Sequence, residues 1–228
     1  MKRLLALLFA LVLVAPSFAG PTPREVLLKS IEVTEDLEKL KIKGIPAKLL
    51  EDAQAVAVIP NVVKAGFIVA GGMGHGVVFT RGEKGEWGDP TFVTLAGGGV
   101  GFQVGVQSTD VLLVFRKKET LERVLGGKGK LTLGADASIA AGPVGRQATA
   151  ATDFKLQAEV LSYARGRGLF AGVSFTGSRL TNDRDNNTAF PLDNRVETSQ
   201  ALAQLKVNLH QLAKEPAIPA QPIPVIKP

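Results

Sequence analysis

Two clusters of glycine set inside apolar, strand-like runs constrain this chain more than any other feature: Gly71-Gly72-Met73-Gly74-His75-Gly76 and Gly97-Gly98-Gly99-Val100-Gly101. Glycine within a strand marks a bend or a place where another backbone comes close. Neither cluster continues as G-x-G-x-x-G or G-x-x-x-x-G-K-[ST], and neither leads into a helix whose N-terminus would hold a phosphate. Strand packing, not nucleotide binding, is the expectation. Glycine makes up 25 of the 228 residues, above the usual share of about 7%, so glycine-rich β-structure should dominate.

The strand texture begins at Ala55–Ile59 and continues through Gly66–Thr80, Thr91–Gln107 and Val111–Phe115. Turn signals separate these runs at Pro60-Asn61, at Arg81 to Gly85 and at Ser108-Thr109-Asp110. It resumes at Leu131–Leu133, Asp136–Ala141, Gln147–Thr152, Lys155–Tyr163 and Leu169–Leu180. Runs this regular predict one antiparallel system, sandwich-like or barrel-like.

Three amphipathic helices and one shorter helix frame it. Thr22-Pro23-Arg24-Glu25 reads as a capping box that opens a helix to Leu40, and Gly44 closes the segment. Pro46 opens a short helix through Ala53, and Lys117–Leu125 forms a middle helix ended by Gly126-Gly127. In the last helix Leu202, Leu205, Leu209 and Leu212 share a face, with Thr198 or Ser199 as the expected cap and Pro216 as the stop. The fold class is therefore α+β, with a dominant antiparallel sheet and N-terminal, middle and C-terminal helices.

The two ends carry different signals. Lys2 and Arg3, the apolar run Leu4–Val14 and the small residues of Ser17-Phe18-Ala19 form a signal peptide over residues 1–19, with cleavage expected after Ala19. The run is shorter than the roughly 20 residues that span a bilayer, so the expected location is periplasmic or secreted. Residues 20–197 read as one domain and 198–215 as its C-terminal helix, and the proline-rich 216–228 as an extended tail.

Most catalytic chemistry is absent from the pattern. With no cysteine, disulfides, Cys-ligated metals and thiol nucleophiles are excluded. The two histidines, His75 and His210, have no second ligand at zinc spacing. Asp183-Arg184-Asp185-Asn186-Asn187 alternates oxygen ligands, but Thr188 and Asn194 stand where a calcium loop needs Gly and Glu, so a turn is expected there. No nucleophile elbow occurs, because Gly172 and Gly177 are one residue too far apart around Ser174. No catalytic residue, no cofactor and no nucleic-acid partner is expected.

The order of short motifs resembles the SYLF domain family. The matching pieces are Gly44-Ile45-Pro46, Val58-Ile59-Pro60, Lys64-Ala65-Gly66-Phe67 and Gly74-His75-Gly76-Val77-Val78, then Gly85-Glu86-Trp87-Gly88-Asp89-Pro90. Gly101 to Gly105, Ala141 to Arg146 and Ser162-Tyr163-Ala164-Arg165-Gly166-Arg167-Gly168 follow. The family usually has Ser where this chain has Gly88, and Tyr where it has Phe190.

The resemblance implies a lipid-binding, actin-associated module without catalysis, contacting anionic phospholipid through an N-terminal amphipathic helix and basic side chains. The candidate contacts are Lys29, Lys39, Lys41 and Lys43 around the first helix, and Lys117, Lys118, Arg123, Lys128 and Lys130 around the middle helix. Arg165 and Arg167 complete the set, the latter where relatives commonly have Lys. An envelope protein partner, met through strand edges or the 216–228 tail, is the alternative. Trp87 is expected to pack a turn in preference to anchoring in a membrane interface.

Overall fold

The computed structural model describes residues 20–39, 45–66, 69–100, 105–125, 129–143, 157–166, 169–172 and 175–214. The expected signal peptide, the Gln147–Thr152 strand and the proline-rich tail lie outside them.

Alternation of apolar residues builds the sheet. In β1 (Ala55–Gly66), Val56 and Val58 face one side, and Ala55, Ala57 and Ile59 the other. Both sets are fully buried, so the strand is covered on both faces. β2 (Val69–Thr80), β3 (Thr91–Val100) and β4 (Gly105–Phe115) follow the same rule. The shorter strands are β5 (Lys130–Thr132), β6 (Ile139–Ala141), β7 (Val160–Gly166), β8 (Leu169–Gly172) and β9 (Arg179–Asn182). Together they form one sheet in the order β5-β9-β3-β2-β1-β4-β7-β6, with β8 paired to β7. Every pairing is antiparallel except β6 with β7.

Helices cover the two faces unequally. α1 (Pro23–Lys39), α2 (Ala47–Glu51) and α5 (Val196–Lys214) lie on the Val56 face, where Val26, Leu27, Leu37, Leu205 and Leu209 join one core. On the opposite face α3 (Glu119–Leu125) supplies Leu121 and Val124 to a second core with Phe115, Leu131 and Leu180. α4 (Arg184–Ala189) and a 3-10 turn (Phe190–Leu192) lead into α5. The α+β class, the dominant antiparallel sheet and its three principal helices are as expected.

Five local expectations are corrected. Pro60-Asn61 is not a turn but a bulge inside β1, where pairing with β2 and β4 shifts register and Asn61 adopts φ 50°. Ser108-Thr109-Asp110 continues β4 in register with β1, and the 91–107 run divides into β3 and β4 on either side of residues 101–104. Leu169–Leu180 is likewise two strands, parted by a turn at Gly177 with φ +83°. The last helix starts at Val196, and Thr198 is buried inside its first turn with its hydroxyl donating to Asp193 at 2.9 Å. At Pro60-Asn61 and Ser108-Thr109-Asp110 strand pairing outweighs the local turn signal, and at Thr198 a neighbouring carboxylate takes the hydroxyl expected to cap.

Two glycines of the first cluster do what strand glycines do. A Cβ on Gly76 would stand 2.5 Å from the Val58 carbonyl oxygen and 2.8 Å from Ile59 Cα, and one on Gly74 would stand 3.0 Å from Val62 Cα. Close approach of β1 and β2 requires glycine at these positions.

Candidate functional site

The first helix is docked. Its capping box is formed, with Thr22 N–H donating to Glu25 at 2.7 Å and Glu25 N–H to the Thr22 hydroxyl at 3.3 Å. Its apolar stripe, Val26, Leu27, Val33 and Leu37, is buried against the sheet and α5. Thr34 is buried too and accepts from Asn208 of α5 at 3.0 Å. The face left to solvent is more acidic than basic: Arg24, Lys29 and Lys39 against Glu25, Glu32, Glu35, Asp36 and Glu38. Lys29 pairs with Glu32 at 2.9 Å and Lys39 with Asp36 at 3.3 Å. Lys41 and Lys43 lie outside the described residues.

The middle helix has the opposite balance. Between residues 116 and 130 the chain places Arg116, Lys117, Lys118, Arg123, Lys128 and Lys130 against Glu119 and Glu122. Leu121 and Val124 are buried and Leu125 packs partly against the same core, while Glu119 and Glu122 face solvent. Arg116, Lys117, Lys118 and Lys130 are exposed. Among the described residues only Lys117 of these four has an ion-pair partner, Glu159 at 3.1 Å. Arg123 lies on α3, and Lys128 is outside the described residues.

Arg165 is already committed. From β7 its guanidinium pairs with Asp36 of α1 and with Asp110 of β4, the latter at 2.7 Å. The second Asp110 oxygen accepts from Asn61 N–H at 3.0 Å, so one carboxylate holds both the β1 bulge and the arginine. Burial acts against the charged form of Asp36, but the Arg165 hydrogen bond and charge prevail and hold its carboxyl below the ordinary range. This arginine locks α1 to the sheet; Arg167 lies outside the described residues.

His75 and Asp183, read separately in the sequence, meet. Nδ1 of His75 lies 2.8 Å from Asp183 Oδ2, and the Thr94 hydroxyl lies 3.4 Å from the same nitrogen. Asp183 also caps α4, accepting from Asn186 N–H at 3.2 Å and from the Asn186 amide at 2.9 Å. Burial opposes ionisation of Asp183, yet the hydrogen bonds from His75 and Asn186 leave its carboxyl below the ordinary range. The 183–187 segment is thus a helix start, and no cluster of three metal-ligating side chains occurs among the described residues.

Trp87 packs a turn, as expected. It is buried under the Arg81 guanidinium, which lies 4.1 Å from the ring centroid. Arg81 in turn donates to the carbonyls of Leu50, Ala53 and Gly85, each at 2.8 Å, and so closes the end of α2. No local pattern points to the Asp36–Arg165–Asp110 bridge or to the His75–Asp183 pair, because Asp36 and Arg165 are 129 residues apart and His75 and Asp183 are 108 apart. The one local hint is Asp110 itself, a carboxylate at the head of the apolar run Val111–Phe115.

The sequence of this α+β module matches a known family. The family described as "Ysc84: Las17-binding protein actin regulator" matches residues 96–216, more than half of the chain. The chain belongs to this Ysc84 (SYLF) family, in agreement with the motif resemblance. Protein YSC84 of Saccharomyces cerevisiae is 39% identical over 165 residues, covering 72% of this chain and 35% of the relative. SH3 domain-containing YSC84-like protein 1 of Homo sapiens is 36% identical over 148 residues, covering 65% and 43%. LAS seventeen-binding protein 3 of Saccharomyces cerevisiae is 37% identical over 152 residues, covering 66% and 33%. The chain spans less than half the length of these relatives. No solved structure matches it.

Proposed function

We propose that this chain is a non-enzymatic SYLF binding module that docks on anionic phospholipid surfaces, and that the 116–130 segment is its contact. The observation that carries this reading is the exposed cationic edge at α3, with Arg116, Lys118 and Lys130 free of ion pairs among the described residues. Each Lys or Arg held near an anionic leaflet contributes about 1 kcal/mol. The attraction fades within a Debye length of about 8 Å at physiological salt. The apolar stripe of the docked α1 is already buried, which leaves Leu28 as its one exposed large apolar side chain. The leader-like residues 1–19 support an exported protein acting at a periplasmic or extracellular membrane face.

Flotation of residues 20–228 with neutral vesicles and with vesicles containing anionic lipid, each at low and high salt, tests the proposal. Binding confined to anionic vesicles and lost with salt is expected. No binding under any condition contradicts it. The names of relatives favour a second reading, a protein partner, since one is called LAS seventeen-binding protein 3. Lipid-independent, salt-resistant capture of an envelope protein would support that reading.

A further inference from the structure

Beyond the basic edge, the other face of the molecule carries a cleft that the electrostatic reading does not use. The N-terminal turn of α1 covers the Val56 face only as far as His75, and the sheet runs on past it. Strand register sets two neighbouring rows on that uncovered face. One is Arg179, Ala96, Met73 and Val63 across β9, β3, β2 and β1; the next is Thr181, Thr94 and His75. Val63 is 44% and Met73 56% exposed, both large apolar side chains without cover. With Pro21, Val26 and Pro60 they line a cleft of about 980 Å³, at the upper end of the roughly 300–1,000 Å³ usual for small-molecule sites.

The charged groups sit at one side of this apolar floor. Arg179 is exposed and has no ion pair among the described residues. Lys29 is there, already paired with Glu32, and the Glu25 carboxylate is turned to the Thr22 N–H and hydroxyl. His75 holds Asp183 through Nδ1, while its Cε1–Nε2 edge faces Gly20, whose added Cβ would stand 3.6 and 3.7 Å from those two atoms. Two strand spacings and one pleat repeat separate His75 from Arg179, about 12 Å between Cα atoms. The Arg179 guanidinium can therefore extend over the apolar floor toward the middle of the cleft.

We propose that this cleft binds a long-chain carboxylate, a fatty acid, with its alkyl chain on Val63 and Met73 and its acid group on the Arg179 guanidinium. An apolar floor with an unpaired guanidinium at its edge complements an amphiphile of one chain and one negative charge. The site is separate from the 116–130 edge and does not depend on the membrane proposal.

The test is calorimetric titration of the whole chain with laurate, dodecanol and dodecyltrimethylammonium, each below its micellar concentration. Saturable one-to-one binding of laurate is expected, at least about tenfold tighter than dodecanol, as one charge-assisted hydrogen bond implies. Arg179→Gln should remove that preference and leave the weaker alkyl binding. Val63→Trp, at an exposed position, should abolish both while thermal unfolding stays unchanged. A Lys117→Glu, Lys118→Glu, Lys130→Glu protein should still bind laurate, which separates this site from the vesicle contact. Equal affinity for the three probes, or laurate binding untouched by Val63→Trp, overturns the proposal. Binding that appears only after removal of residues 216–228 also overturns it, because the chain's own tail would then be the occupant.

Discussion

Arg165 on β7 pairs with Asp110 on β4 at 2.7 Å, and through that carboxylate it is joined to the bulge at Asn61. Its other bond reaches Asp36 on α1, so three elements distant in sequence meet at one guanidinium. Arg165→Met should leave Asp110, which is 7% exposed, without its charge partner. The expected loss is about 2 kcal/mol, between the value of a charged hydrogen bond and that of a fully buried pair. Urea unfolding measures it, and vesicle binding of the folded variant should match the parent, since this arginine is not part of the basic edge.

Acid should unfold the protein partly through the Arg165 bridge and the His75–Asp183 pair. Asp36 and Asp183 both have carboxyl pKa values depressed by their partners. Their contribution is complete above the unfolded carboxylate value of about 3.9 and disappears as pH falls through the lower folded values. Urea midpoints followed from pH 7 to pH 2 should fall steeply below about pH 4. Asp183→Asn should make that fall shallower while lowering the midpoint at pH 7.

Gly76→Ala should be among the more damaging single-methyl additions in the sheet. The new Cβ would meet backbone on both sides, Val58 O at 2.5 Å and Ile59 Cα at 2.8 Å. A cost of about 1–3 kcal/mol is expected from strand displacement. Gly88→Ser is the control: a Cβ there meets Thr80 O and Oγ1 at 3.4 Å, ordinary contact. Its change should stay within about 0.5 kcal/mol. Chemical denaturation of the two variants decides.

Arg81→Lys should weaken the end of α2 although charge is kept. The guanidinium donates to three carbonyls while lying flat over Trp87, and an ammonium cannot reproduce both roles. A loss of about 1–3 kcal/mol is expected. Trp87 is the only tryptophan, so its fluorescence reports the turn directly and should shift to the red as the ring is uncovered.

Local chemistry made much of this fold legible. The Thr22–Glu25 capping box, the Leu205, Leu209 and Leu212 stripe and the glycines facing β1 each act within a few residues or through a strict period, and each stands where the pattern put it. Strand pairing on both sides overrode the turn signals at Pro60-Asn61 and Ser108-Thr109-Asp110. The basic residues could be listed from sequence but not ranked. Docking of α1, neutralisation of Lys29 and Lys39 by neighbouring acids, and capture of Arg165 by two aspartates are tertiary facts. The cleft depends on where α1 stops relative to the sheet, and no local motif encodes that.

The most direct test of the central claim compares two charge reversals in vesicle flotation. One protein carries Lys117→Glu, Lys118→Glu and Lys130→Glu; the other carries Lys29→Glu and Lys39→Glu. If α3 and its flanks are the membrane contact, the first variant loses binding to anionic vesicles at low salt while the second retains nearly all of it. Retained binding by the first variant, or equal loss in both, would contradict the assignment of the 116–130 edge as the contact surface.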